Sequence, residues 1–245
     1  MIALCKKEIT EGIATYKALI LLAVFVALGI INPLTAKLMP LILASMTTPE
    51  IAAQFGEPTA LDAWAQFFKN VPQLGLIVFI IAMSTIVSKE KPYLPLLVTH
   101  RFKRTQIIHA KALYLLGLWT ICYSVSVFIT WGYTAYYWDM SVVHNLPLQL
   151  LGVYLVGAAM WLVVFVGNTI GGTAASGLLT GFAVFSSLLL IQALYPSHYN
   201  PVHLLAVNER LAGATSTLLP AIVVTISSSL ILYGVALQNY KTKAL

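Results

Sequence analysis

The sequence predicts an all-α, polytopic membrane protein with six transmembrane helices, and three observations carry that prediction. Of 245 residues, 59% are hydrophobic and only 9% charged, where a soluble domain typically has about 25% charged residues. Long apolar runs recur along the chain, whose mean hydropathy is +0.86. Lys and Arg gather in a few of the segments between those runs, which is the pattern that orients a membrane protein. The two cysteines, Cys5 and Cys122, are too few and too far apart to form a disulfide framework.

A spanning helix needs roughly 17 to 25 residues to cover about 30 Å of hydrocarbon at about 1.5 Å per residue. Residues 18–34 and 71–87 each sit near the lower bound, and 112–138 can span with tilt. Residues 148–194 contain no charge and as one helix would be roughly 70 Å long. That run must fold back, and Asn168, Thr169, Gly171 and Gly172 supply the turn between spans at 148–167 and 173–194. Residues 218–237 form the sixth span. Lys6, Lys7 and Lys17 ahead of the first run resemble the start of a secretory signal. No small-residue cleavage site ends that run and further runs follow, so it is expected to stay as the first span.

Six spans put both ends of the chain on one side. Residues 1–17, 88–111, the turn near 168–172 and 238–245 then share that side and hold three, six, none and two Lys or Arg, eleven of the fourteen. Only Lys37, Lys69 and Arg210 fall opposite. Positive loops stay in the cytoplasm, so both termini are expected to be cytoplasmic, and residues 35–70 and 195–217 exterior.

Within residues 1–17, Ile2, Cys5, Ile9, Ile13 and Tyr16 recur at helical spacing while Lys6, Lys7, Thr10, Glu11 and Lys17 populate the remaining face. This predicts an amphipathic helix in the inner interface, or a plain basic flank of the first span. In the long exterior segment, Thr48 with Pro49 and Thr59 with Asp62 are helix-start signals. Leu61, Trp64, Ala65 and Phe68 share a face, so short helices resting on the outer leaflet or leaning on the bundle are expected. Residues 195–217, semi-apolar and interrupted by Pro196 and Pro201, are expected to dip toward the membrane in the same way.

The sequence has no HExxH, no GxSxG and no Gly-rich phosphate loop ending in Lys and Ser or Thr. His198 and His203 lack an acidic or thiol companion that would complete a metal set, and His100, His109 and His144 are scattered. No ionisable residue sits centrally in a span, where it would mark an ion path. Gly167 with Gly171, and Gly177 with Gly181, permit close helix packing, either between neighbouring spans or at a subunit interface. Trp131, Tyr133, Tyr136, Tyr137 and Trp138 crowd the outer end of the third span as an aromatic belt, with contact to a greasy substrate as a second reading.

The basic loop after the second span carries Lys89, Glu90 and Lys91, then Leu94, Leu96, Leu97, Val98 and Thr99, then Arg104, Ile107, Ile108 and Lys111. In order and spacing, together with the span layout, this resembles the permease subunits of ABC-2 type ABC transporters. Pro92 and Tyr93 stand where Gly-Thr is usual, and Arg101, Phe102 and Lys103 replace a Pro-Val-Ser lead-in. The resemblance implies a coupling helix over about 92–105 seated on a partner ATPase, with Lys89, Glu90, Leu96, Leu97, Arg101, Phe102, Lys103 and Arg104 as coupling residues. It implies an interface helix bearing Lys6, Lys7, Glu8 and Glu11 beside that coupling helix. It also implies a non-enzymatic chain in a bacterial or archaeal cytoplasmic membrane, working with two ATP-binding subunits and a second permease copy or a homologous permease. No cofactor is then bound directly, since ATP and Mg sit on the partner, and no nucleic acid is involved. The expected cargo is an amphipathic peptide, lipid or hydrophobic compound moved outward. A simpler account of the loop is topology control and contact with anionic lipid head groups. A stand-alone secondary transporter or channel, or a non-transporting scaffold or immunity protein, stays open beside the exporter.

Overall fold

The computed structural model describes residues 2–46, 57–88, 103–207, 211 and 217–242. In chain order the helices are α1 (Ile2–Ala14), α2 (Lys17–Met46), α3 (Ala60–Asn70), α4 (Leu76–Met83), α5 (Arg104–Tyr137), α6 (Leu146–Gly171), α7 (Ala174–Leu194) and α8 (Leu219–Thr242). A π-helical turn, Val71–Gly75, joins α3 to α4, and 3-10 turns occupy Met140–Val142 and Pro201–Leu205. Among the described residues there is no strand. Six helical stretches of the described residues are long and apolar enough to cross a membrane: α2, the α3–α4 rod, and α5 to α8. The architecture is that of a multi-pass membrane protein.

Successive spans run antiparallel, and side-chain contacts identify which ends lie together. Lys17 at the start of α2 reaches Ala82 O and Thr85 past the end of α4. Lys111 near the start of α5 reaches Glu8 on α1. Asn168 near the end of α6 donates to Ser84 O, and Tyr233 in the second half of α8 meets His109 on α5. These segments make one end of the bundle, called here the α1 end.

Several helices are longer than the sequence alone suggests. The first span was expected over 18–34, yet α2 continues to Met46 through Pro33 and Pro40. Proline removes a donor from the helix ladder and frees the carbonyl four residues back. For Pro33 that carbonyl is Gly29 O, which accepts from the buried Thr130 hydroxyl of α5 at 3.2 Å. The approach is possible because Gly29 has no side chain; a Cβ there would lie 2.9 Å from Ile129 Cβ. The freed carbonyl is thus turned into an inter-helix bond, and α2 has no reason to stop.

The second span starts inside the segment expected to lie on the outer leaflet. Asp62 accepts from the Thr59 N–H at 2.8 Å and from its hydroxyl at 2.9 Å, starting α3 where the sequence signals it. Ala60, Ala63, Trp64, Phe67 and Phe68 are then buried against α2 and α5. At Pro72 no N–H is available for Phe68 O, and the ladder shifts register so that the Leu76 N–H donates to Val71 O. Asn70 Nδ2 donates to the buried Asn32 Oδ1 at 2.7 Å and pins the rod to α2. Burial of one face all the way from Ala60 makes a continuous helix better than a helix lying flat. Likewise α5 begins at Arg104 rather than near 112, because Ile107, Ile108 and Ala110 are already buried and Gln106 Oε1 accepts the Lys103 N–H at 3.1 Å.

The long uncharged run folds back at the expected place. Gly172 adopts φ 71° and ends α6, donating its N–H to Asn168 O at 2.8 Å, and Thr173 caps α7 by accepting from Ser176 N at 3.1 Å. A Cβ on Gly177 would lie 2.0 Å from Asn168 Oδ1 and 2.6 Å from Val164 O, so the small residues serve packing within the chain. At the centre, Trp119 of α5 stands edge-on to Phe25 of α2 and Phe79 of α4 and covers Gly157 of α6. Its indole N–H donates to Tyr154 O at 3.2 Å. Trp119 therefore joins four spans at one point. α7 is peripheral and buries only Gly177 and Gly181.

Gly177→Val places atoms against a backbone carbonyl that cannot swing away. It should lower stability by about 1–3 kcal/mol, seen as a lower Tm in detergent. Gly234→Ala, with open space around the new Cβ, should leave Tm unchanged or raise it.

Candidate functional site

Two places in the bundle combine polar chemistry with an arrangement that packing alone does not require. The first is the junction at the α1 end. Glu8 on α1 and Lys111 on α5 form a salt bridge with Nζ 3.2 and 3.3 Å from the two carboxylate oxygens, and the residues are 5% and 1% exposed. Lys7 adds a second cation, 3.3 Å from Glu8 Oε1 and 3.7 Å from Glu11 Oε2. Leu4 packs with Ile107 and Ala110 one turn away. Gly12 meets the Tyr114 ring so closely that a Cβ would lie 1.9 Å from its hydroxyl oxygen.

The stripe that α1 turns toward the protein is thus Leu4, Glu8 and Gly12, at strict four-residue spacing. It is a second face beside the apolar stripe read in the sequence. Ile2, Ile9, Ile13 and Tyr16 point away from the bundle and are exposed, and only Cys5 leans on the Leu4 cluster. α1 thus carries a charged seam inward and an uncovered apolar face outward. The chain then turns sharply into α2 at Tyr16, whose φ of 57° is uncommon for an aromatic residue. Next in sequence, the Lys17 ammonium donates to Ala82 O at 3.1 Å and to the Thr85 hydroxyl at 2.7 Å. A cation on the last carbonyls of a helix is favourable with its dipole.

Both flanks of the basic loop are therefore held by the N-terminal region. Lys17 grips the segment that enters the loop, and Glu8 grips the helix that leaves it. Of the coupling residues expected from the sequence, Lys89, Glu90, Leu96, Leu97, Arg101 and Phe102 lie outside the described residues. Lys103 is exposed at the N-cap of α5, and Arg104 is its first helical residue. Of the interface set, Lys6 is exposed, Lys7 and Glu11 are half-buried, and Glu8 is buried. Glu8 and Lys111 are 103 residues apart, which is why their pairing escaped the sequence reading. The available signal was an acid at the four-residue spacing between Leu4 and Gly12.

The second place is a groove of about 1000 Å³ on the flank of the bundle. The α3–α4 rod forms one wall, α6 and α7 the other, and Pro201–Leu205 closes the end opposite α1. Ile77, Ile80, Val164, Leu178, Phe182 and Phe185 make its body apolar. Polar side chains collect toward the closed end: Gln66, Lys69 and Gln73 from the rod, Gln192 from the last turn of α7, and His203. His203 stands edge-on to His198 with ring nitrogens 3.3 Å apart. No group of three or more His, Cys, Asp or Glu residues converges among the described residues.

Trp131, Tyr133, Tyr136, Tyr137 and Trp138 are not part of this groove. They sit on the last turns of α5 and just beyond; the first three are exposed and the other two half-buried. Lys37 of α2 rests 3.5 Å from the Tyr137 ring centroid. Beyond them, Asp139 accepts from the Ser141 hydroxyl and N–H, and those bonds hold its carboxyl below its usual range. Comparison with known protein families, with characterised proteins and with solved structures finds no match for this chain.

The buried pair gives an asymmetric expectation. Glu8→Gln leaves the Lys111 ammonium buried without its carboxylate and should cost about 3–5 kcal/mol. Lys111→Met leaves Glu8 with Lys7 and should cost less. The double variant should recover part of the loss, giving a positive coupling energy in a thermal-unfolding double-mutant cycle.

Proposed function

We propose that this chain is the membrane-spanning permease subunit of an ATP-driven exporter of the ABC-2 type. Partner subunits hold ATP and Mg and perform the hydrolysis. The functional assembly has two ATP-binding subunits and a second permease copy or a homologous permease. Both termini and the loop at 88–103 face the cytoplasm, and α1 lies in the inner interface with Ile2, Ile9, Ile13 and Tyr16 toward lipid. The cargo is an amphipathic or hydrophobic molecule.

The observation that carries this reading is the Glu8–Lys111 pair next to the basic loop. A loop that only enforced topology would need charge and nothing more. Here the helix leaving the loop is locked to α1 through a buried salt bridge, and the segment entering it is held by Lys17. A displacement delivered to the loop or to α1 by an ATPase would move α5 as a rigid rod. Through Trp119 it would then reach α2, α4 and α6, because packed cores respond as units and do not yield locally. Arg101, Lys103 and Arg104 supply charge for an acidic cleft on the ATPase, while Leu96, Leu97 and Phe102 supply the apolar anchor. The groove beside α7 offers room for a greasy cargo within reach of the same helices.

Co-purification in mild detergent tests the reading. Arg101→Glu, Lys103→Glu and Arg104→Glu combined should lower recovery of the ATP-binding subunit by tenfold or more, while membrane insertion and monodispersity stay normal. Equal recovery with the reversed charges refutes the docking role, and ion-driven flux in liposomes without any ATPase refutes the exporter.

A further inference from the structure

We infer that the groove between the α3–α4 rod and α7 is a binding site for an anionic amphiphile whose head group carries hydroxyls, seated with its head at Lys69 and Gln192 and its chains along the apolar walls. As a cargo site it rests on the exporter reading, but as a binding site it does not. From Ala65 to Ile81 the rod lines the groove over roughly 24 Å at 1.5 Å per residue. That exceeds the roughly 15 Å that half of a 30 Å hydrocarbon core occupies. A chain-bearing molecule fits this length, and a compact solute would leave most of the apolar wall bare.

The polar groups at the closed end define the head. Lys69 is exposed on the groove wall, and among the described residues no carboxylate pairs with it. A lysine on the wall of an apolar groove, inside the α3–α4 span, attracts phosphate or carboxylate, by about 1 kcal/mol on the scale of one lysine near an anionic lipid surface. Across the groove, Gln192 lines the wall, and its buried Oε1 has no hydrogen-bond partner among the described residues. An unpaired buried acceptor carries a free-energy cost, which a hydroxyl donor from the head group removes. A cation on one wall and a free acceptor on the other call for an anion bearing hydroxyls. A zwitterionic choline head supplies neither a net negative charge nor a hydroxyl donor. A second copy of this chain could also cover the apolar walls, but it would have to bring an acid to Lys69 and a donor to Gln192 at the same points.

Native mass spectrometry of the purified full-length chain, without an ATPase, tests the inference. The probes are phosphatidylglycerol and phosphatidylcholine with identical acyl chains. Phosphatidylglycerol should be preferred about five-fold or more. Lys69→Gln should abolish that preference, and Lys37→Gln, at the same end but outside the groove, should preserve it. Phe182→Ala should weaken retention of both lipids, whereas Leu190→Ala, also exposed on α7 but outside the groove, should not. Equal retention of the two lipids by the unaltered chain overturns the inference, as does a preference that survives Lys69→Gln. So does a chain that is dimeric in detergent and excludes both lipids. None of these outcomes bears on ATPase recruitment, so the exporter reading stands or falls separately.

Discussion

A polar group turned into an apolar bundle needs a partner from another segment, and the decisive helix contacts answer that constraint. In hydrocarbon an unsatisfied carbonyl or amide costs several kcal/mol. Gly29 O, released by Pro33, is met by Thr130. Asn32 on α2 is met by Asn70 on the rod, and Ser84 O by Asn168. The Lys111 charge is met by Glu8. Every one of these bonds joins a helix to another helix or to the turn at another helix's end, so satisfying the polar groups and assembling the bundle are the same event. Prolines and asparagines that would disrupt an isolated helix therefore act here as joints.

The same constraint accounts for the small residues. A carbonyl can be reached from a neighbouring helix only if the backbones approach, and approach requires missing side chains. Gly29 lets Thr130 reach α2, Gly177 lets α7 close over Asn168, and Gly12 lets α1 settle against Tyr114. Close approach also gives α7 its position at the rim of the bundle. Only its glycines are buried, so its large apolar side chains are left to face the groove and the lipid.

At the α1 end these rules produce a lever-like arrangement. α1 and α5 share a buried charge pair, α2 and α4 share the Lys17 clamp, and α5 and α8 meet at His109 and Tyr233. A buried ion pair adds little net stability compared with apolar packing, but it defines one register, because sliding α1 by a turn would strand both charges. Under the proposed function that is the useful property. In that proposal a push at the loop would be transmitted without slip, with the energy supplied by the partner protein.

Much of this architecture was legible in one dimension. Six apolar runs, the reversal at Gly172, the helix start at Thr59 and the grouping of basic segments all follow from hydropathy, residue-specific turn geometry and charge, which act locally. The span boundaries were less legible. α2 runs past two prolines because Thr130 receives Gly29 O, the rod begins at Ala60 because Trp64 and Phe67 find a core, and α5 begins at Arg104 because Ile107 and Ile108 do. The apolar stripe of α1 was legible, but the buried seam of Leu4, Glu8 and Gly12 beside it was not. Each miss has one cause: the deciding partner lies tens of residues away. The amino-acid sequence by itself determined that this chain is an all-helical, multi-pass membrane protein, because length and hydropathy are properties of each segment alone. Which faces meet, where Glu8 finds Lys111 and where the rod and α7 leave a groove were decided only by the tertiary structure. Those are pairings between segments, and a pairing has no signature in either segment taken separately.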